Sequence, residues 1–202
     1  MPLATAAAAD HPPGVTTVMD AMRARRAVRQ YARKPIDEAA LLRVIDAAVL
    51  APSALNRQDW MFVAITDPLA LDSISHKAKL HMLGLLDQTP TLRGFREHLS
   101  NPAYDIFYGA PALVVICATS DDEMAKQDCC LAAENLMLAA RAEGLGSCWI
   151  GFAEAWLDLP EAKAELGIAA NVRPIAPIIL GHPAAWPESP GRRRPIVKWI
   201  RG

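Results

Sequence analysis

The stretch DDEMAKQDCCLAAENLMLAARAEGLGS (121–147) limits the possible folds more than any other part of the chain. Its acidic start suits a helix N-terminus and Gly144 suits a helix end, so the pattern predicts one long helix. Apolar and small side chains lie around most of its circumference and not along a single stripe. Such a helix has no wet face wide enough for a surface, so it belongs in the centre of the fold, with the other elements around it.

Those elements are mixed. VMDAMRAR (18–25) carries Val18, Met19 and Met22 at helical spacing and places Arg25 near a helix C-terminus. PIDEAALLRVIDAAVLAPS (35–53) predicts a helix capped by Asp37 and stopped by Pro52, with Leu41, Val44, Ile45, Ala48 and Val49 on one face. WMFVAIT (60–66) and PALVVICAT (111–119) read as buried strands. CWIGF (148–152) and PIAPIILGHP (174–183) are strand-like, LPEAKAELGI (159–168) is a short helix, and PIVKWI (195–200) is a candidate last strand. Residues 69–108 combine helical spacing at Leu80, Met82, Leu83, Leu85 and Leu86 with breakers at Pro90, Gly94 and Pro102. The strands are too far apart to force a doubly wound parallel sheet, and the fold class is α+β.

A chain of 202 residues with 52 % hydrophobic content can bury one full core, so a single domain over 17–202 is expected behind a flexible arm at 1–16. The formal net charge of −1 gives no global field for nucleic acid or an anionic membrane, and neither partner is expected. MPLATAAAADHPPGVTT lacks the basic and apolar regions of a secretory signal, and no run approaches the ~18 apolar residues of a membrane span. Cys117, Cys129, Cys130 and Cys148 show no CxxC spacing and read as buried thiols of a reducing compartment, so a cytoplasmic location is expected. The five histidines make no paired-ligand spacing, so no metal is expected.

Four stretches compete for chemical meaning. RRAVRQY (25–31) packs Arg25, Arg26 and Arg29 together, either as a solvated helix end or as an anion site. APSALNRQDW (51–60) is a connector, or a loop whose Ser53 and Asn56 meet a polar ring. GLGSCWIGF (144–152) is a helix cap followed by a core strand, or a stretch whose glycines let backbone amides approach a flat ligand. GRRRPIVKW (191–199) is a solvated basic tail or a nucleic-acid patch, although nothing else in the chain supports nucleic acid. GLGSCWIG is neither a GxSxG elbow nor a GxGxxG turn opening a helix.

Taken in order, RRAVRQY, PIDEAALLRVIDAAVLAPSALNRQDWMFV, APALVVICA, GLGSCWIGF and LGHP followed by GRRRP strongly resemble the FMN-dependent nitroreductase family, from about Val18 to Arg194. The resemblance implies a central mixed sheet wrapped by helices, in an intertwined homodimer with FMN at the subunit interface. It places Arg25, Arg26 and Ala27 along the FMN phosphate and ribityl chain, and Arg29 at the polar edge of the isoalloxazine. Arg192, Arg193 and Arg194, in a C-terminal extension over 184–202, would take the far side of the phosphate, Arg193 foremost. Pro52, Ser53, Ala54, Leu55 and Asn56, with Gln58, would reach the ring from the other subunit. Cys148, Trp149, Ile150 and Gly151 would lie along its opposite face and edge, with the Ile150 N–H near flavin N5.

The implied activity passes a hydride from NAD(P)H, through FMN, to a small electron-poor acceptor such as a nitroaromatic or quinone, with no catalytic side chain. Flavin-cleaving, dehalogenating or enal-reducing relatives, and a non-catalytic FMN-binding protein, are the alternatives. Two positions depart from the family pattern: Ala27 stands where serine is usual, and Asp59 where proline is usual. The variable 69–108 segment would form a lid, with Leu92, Phe95, Tyr104 and Phe107 as candidate substrate contacts.

Overall fold

Strand β2 (Ala112–Ala118) is buried at every residue and divides the core in two. Because alternate residues of a strand face opposite ways, Leu113, Val115 and Cys117 enter one cluster and Ala112, Val114, Ile116 and Ala118 the other. The first cluster is closed by helix α3 (Pro68–Leu85) and helix α6 (Gly151–Leu157), the second by helix α2 (Glu38–Ala48) and helix α5 (Glu123–Ala142). This computed structural model describes residues 17–88 and 90–202; the expected arm at 1–16 lies outside them.

The sheet also contains β1 (Trp60–Ile65), β3 (Gly146–Trp149) and β4 (Arg173–Gly181), in the order β1-β2-β4-β3. Every pairing between these strands is antiparallel. The mixed character expected of the sheet reduces to one parallel bridge, Ala27 to Ser147, because the segment after α1 (Val18–Ala24) touches β3 there and then crosses to Pro183 through Tyr31. β1 is an edge strand and mostly half-buried, not the buried strand its composition suggests. Residues 195–200, the candidate last strand, have no regular structure and are exposed.

Helix α5 starts where expected, with the Asp122 carboxylate accepting from the Met124 N–H. It ends in a Schellman motif. Gly144 adopts φ +75°, the Leu145 N–H donates to the Ala140 carbonyl at 2.8 Å, and the Gly144 N–H donates to that of Arg141 at 3.3 Å. One side of α5 faces the sheet through Ala125, Cys129, Ala132, Ala133, Leu136 and Ala140, yet Met124, Cys130 and Leu131 remain exposed. The helix is thus one layer out from the centre, with an uncovered strip. Asp37 stands at the N-cap of α2 without a side-chain capping bond, and α2 ends at Ala48, ahead of Pro52.

The 69–108 segment divides into unlike halves. Its first half is core: α3 buries Leu71, Ile74, Ala78 and Met82, and Pro68 and the Asp67 cap start it. The second half is a run of 3-10 turns at Leu86–Gln88 and Pro90–Phe95, helix α4 (Arg96–Ser100), and a loop to β2. A lid can therefore only be the second half. Helix α7 (Pro160–Glu165) completes the chain's regular structure among the described residues.

Candidate active site

Residues 25–31 leave α1 and lie down against β3 and β4, because two glycines leave room for them. A Cβ on Gly146 would meet three Val28 side-chain atoms at 2.8–2.9 Å, and one on Gly181 would meet Tyr31 Cδ1 at 2.5 Å and Pro111 Cδ at 2.7 Å. Val28 is fully buried and its N–H donates to the Ser147 carbonyl at 3.0 Å, while the Tyr31 hydroxyl donates to the Val28 carbonyl at 2.8 Å. This corrects the reading of GLG as backbone opened for a ligand: Gly144 caps a helix and Gly146 accommodates Val28.

At the end of β3 the chain turns directly into α6. The Ile150 N–H, expected near flavin N5, donates instead to the Pro177 carbonyl at 2.8 Å. Gly151 is the first residue of α6, where a helix N–H has no partner inside the helix. Trp149 is fixed by its indole N–H, which donates to Glu154 Oε1 at 2.5 Å. Burial pushes the Glu154 carboxyl up, against the opposing pull of that bond and of Lys126. Burial likewise raises the Cys148 thiol, with Arg29 and Arg25 pulling it down, so this cysteine is a neutral wall residue and not a thiolate nucleophile.

Facing this turn is the loop between α4 and β2. Lys79, buried in α3, donates its Nζ to the carbonyls of Asn101, Pro102 and Tyr104 at 3.1, 3.3 and 2.7 Å. Asp105 accepts from Ser75 Oγ at 2.5 Å, from the Phe107 N–H at 2.8 Å and from the Gly109 N–H at 2.6 Å. These bonds pin the loop to a core helix and present Tyr104 and Tyr108, whose hydroxyls lie 2.8 Å apart. The Arg29 guanidinium stands 5.9 Å from the Tyr108 ring centroid, and Phe95 packs edge-on against Phe152 with centroids 5.3 Å apart.

Together these residues enclose a cavity of about 410 Å³, within the size range of small-molecule and cofactor sites. Of the residues singled out in the sequence, Arg29, Leu92, Phe95, Tyr104, Cys148, Trp149, Ile150 and Gly151 line it. Ile106, Tyr108 and Phe152 line it as well and were missed. Phe107 does not line it: its side chain is fully buried in the core, and Tyr108 faces the cavity in its place.

The other candidates lie elsewhere. Arg25 Nε is 3.6 Å from Glu134 Oε1, and Arg26 turns back to donate Nη1 to the carbonyls of Arg23 and Arg25, each at 2.7 Å. Ala27 is half-buried at its bridge to Ser147. Arg192, Arg193 and Arg194 are exposed, and Arg192 Nη1 donates to the Gly191 carbonyl beside it at 2.9 Å. Pro52, Ser53, Ala54, Leu55, Asn56 and Gln58 form an outward loop that contributes nothing to the cavity of its own chain.

That loop is strained and held. Leu55, Asn56 and Gln58 all have φ near +55°, a region costly for non-glycine residues. Buried Asp128 of α5 accepts from the Ala54 N–H at 3.1–3.2 Å, Ser53 Oγ accepts from the Gln58 N–H at 3.1 Å, and Arg57 pairs with Asp59 at 2.9 Å and Asp122 at 2.8 Å. Asp128 escaped notice in the sequence, although a lone carboxylate on the apolar side of a helix was its signal. Leu55, at the tip, is 89 % exposed.

The family profile described as Nitroreductase family matches residues 22–182. This chain belongs to that family. A relative in Archaeoglobus fulgidus, carrying the name NADH dehydrogenase/NAD(P)H nitroreductase, is 31 % identical over 79 % of this chain and 81 % of its own length. An NADH dehydrogenase of Thermus thermophilus is 27 % identical over 91 % of this chain and 96 % of its own. Among solved structures, a nitroreductase from Bacteroides fragilis with bound FMN superposes with a TM-score of 0.80 at 28 % identity, covering 93 % of this chain and all of that one.

Proposed function

We propose that the chain is an FMN-dependent oxidoreductase that uses NAD(P)H to reduce a small electron-poor acceptor of the nitroaromatic or quinone kind. The observation that carries this reading is the cavity itself, where the apolar wall Cys148–Trp149–Ile150–Gly151 and the Arg29 guanidinium converge. When bound, FMN supplies hydride acceptance and donation at N5. The chain's own work is to hold it. Trp149 to Gly151 offer a flat wall, Arg29 a cationic edge for the polar end of the ring, and Leu92, Phe95 and Tyr104 an apolar cover under which an acceptor can stack. Among the described residues no group of three or more His, Cys, Asp or Glu side chains could hold a metal ion.

The working form on this reading is a homodimer. Val18, Met19 and Met22 on α1, Leu131 and Met124 on α5, and Leu50 and Leu55 beside the strained loop are all exposed large apolar side chains. Surface of this extent marks an interaction face. A second copy that covers it would bring 52–58 against the partner's cavity, and it would give the exposed apolar tail of Ile196, Val197, Trp199 and Ile200 a place to bury. Sedimentation is expected to give a dimer, and Leu131→Arg is expected to yield monomers that have lost bound flavin. A monomer with full flavin content overturns the interface.

The activity is tested on the purified protein. It is expected to be yellow, to release FMN and not FAD on heating, to bleach with NADH or NADPH, and to regain colour with a quinone or nitroaromatic. A protein without flavin refutes the reading, and one that binds FMN without bleaching is a binding protein and not an enzyme. Among the described residues no helix is long and apolar enough to cross a membrane.

A further inference from the structure

The cover of the cavity carries a polar feature that packing alone does not require. The Tyr104 and Tyr108 hydroxyls, both at the cavity, lie 2.8 Å apart, the usual separation of an O–H···O bond. Two phenols own two hydroxyl hydrogens, and the bond between them uses one. The other is left to donate, and neither hydroxyl has a second hydrogen-bond partner among the described residues. Neighbouring donors are committed elsewhere: the Trp149 indole N–H goes to Glu154, and the Cys148 thiol to the Trp149 carbonyl at 3.6 Å. The pair is also held in place. Lys79 Nζ fixes the Tyr104 carbonyl, and Asp105 accepts from the N–H groups on either side of Tyr108. The two rings meet edge-on at 5.8 Å, and His98 packs against the Tyr104 ring at 6.0 Å. Tyr108 has φ +56°, a conformation that glycine adopts without strain. A tyrosine there is explained by its side chain and not by the turn.

We infer that Tyr104 and Tyr108 act together as one hydrogen-bond donor to an oxygen of the electron acceptor, so that the site selects acceptors presenting a carbonyl or nitro oxygen. That the occupant is an electron acceptor rests on the reading given under Proposed function; the free donor rests on the hydroxyl pair. As the acceptor takes the hydride's two electrons, negative charge gathers on that oxygen, and a donor already held beside it needs no reorganisation. The shared hydrogen polarises the free one, which makes the pair a better donor than a lone phenol. Burial, and then the bond to Tyr108, push the Tyr104 hydroxyl up from its ordinary value, so Tyr104 keeps its hydrogen. The pair therefore stabilises the charge by donation, and the proton that completes the product comes from water.

Tyr104→Phe, Tyr108→Phe and the double variant, compared with wild type as holoproteins, decide the matter. Acetophenone, which offers a carbonyl oxygen, and α-methylstyrene, which has a methylene group in its place, are titrated against the oxidised proteins and read by the flavin spectrum. Either single variant retains one hydroxyl that can donate, so its acetophenone affinity should stay within about twofold of wild type, whereas the double variant should lose roughly tenfold. α-Methylstyrene should distinguish none of the four proteins. After reduction with dithionite, the double variant should pass electrons to a quinone roughly tenfold or more slowly, and to ferricyanide, which has no oxygen to hold, at the wild-type rate. A double variant that matches wild type on acetophenone and quinone refutes the donor and leaves the flavin reading standing. So does a single variant that carries the whole loss, since a lone tyrosine would then act without its partner. A double variant that releases its flavin, or weakens both probes equally, makes the hydroxyls part of the flavin's hold or of the packing, and the donor is again refuted. A wild type that takes up no flavin defeats the flavin reading, and this role with it.

Discussion

Replacing Phe107 by alanine is expected to remove about 3–5 kcal/mol of stability, the usual range for emptying a buried aromatic site. Phe107 is 2 % exposed and sits in the cluster with Leu86, Leu99, Ile106 and Leu113, so its loss leaves a cavity that these neighbours can close only in part. Phe95→Ala is the contrasting experiment. Phe95 is 43 % exposed, faces the cavity and touches Phe152 by its edge, so its removal should cost about 1 kcal/mol or less. It should instead change the ratio of turnover on a small quinone to that on a bulky nitroaromatic. Equilibrium unfolding and a two-acceptor assay on both variants decide the matter. Equal stability losses with unchanged acceptor ratios would put Phe95 in the core with Phe107 and remove the specificity role of the second half of 69–108.

The misplacement of Phe107 shows where sequence reasoning stops. Tyr108 and Gly109 both have positive φ within a turn whose Tyr108 and Ala110 N–H groups donate to the Asp105 and Phe107 carbonyls, so no strand or helix period runs through Phe107. Alternation can be read along a strand, but not through such a turn. By contrast, Trp149 to Gly151 were legible only through the family resemblance of GLGSCWIGF, since CWIGF alone reads as a strand and helix α6, which starts at Gly151, was not expected. So was Arg29, which the arginine cluster of RRAVRQY singled out and the resemblance placed at the ring's edge. Lys79 and Asp128 were not. Each is a charged residue on an apolar helix side whose partners are backbone atoms of distant loops, and a periodic pattern absorbs it as an imperfection. The antiparallel sheet was also beyond reach, since strand direction depends on connections and not on strand composition. The exposed strip on α5 is the converse case. The sequence asked for more cover than one chain supplies, and the single chain leaves Leu131 46 % exposed, which is why the missing cover is assigned to a second copy.

Gly146→Ala is expected to lower stability by about 1–3 kcal/mol, the range for overpacking a tight core, and thus the melting temperature by roughly 2–12 °C for a chain of this size. The added Cβ would stand 2.8–2.9 Å from Cβ, Cγ1 and Cγ2 of Val28, and valine, branched at Cβ, has no rotamer that withdraws all three. Either the 25–31 segment lifts or β3 gives way. If the segment lifts, Arg25, Arg26 and Arg29 move together, so flavin affinity should fall in step with stability although residue 146 lines no part of the cavity. Val28→Gly removes the obstruction. In the Gly146→Ala/Val28→Gly protein the two effects should therefore be less than additive, with part of the flavin affinity returning. Gly84→Ala, whose Cβ would meet nothing within 4 Å near the end of α3, is the reference substitution and should be neutral or slightly stabilising. Thermal melts and flavin titrations of the four proteins give the answer. Strict additivity, or an unchanged flavin affinity in Gly146→Ala, would mean that the close approach of Val28 to β3 does not set the position of the arginines.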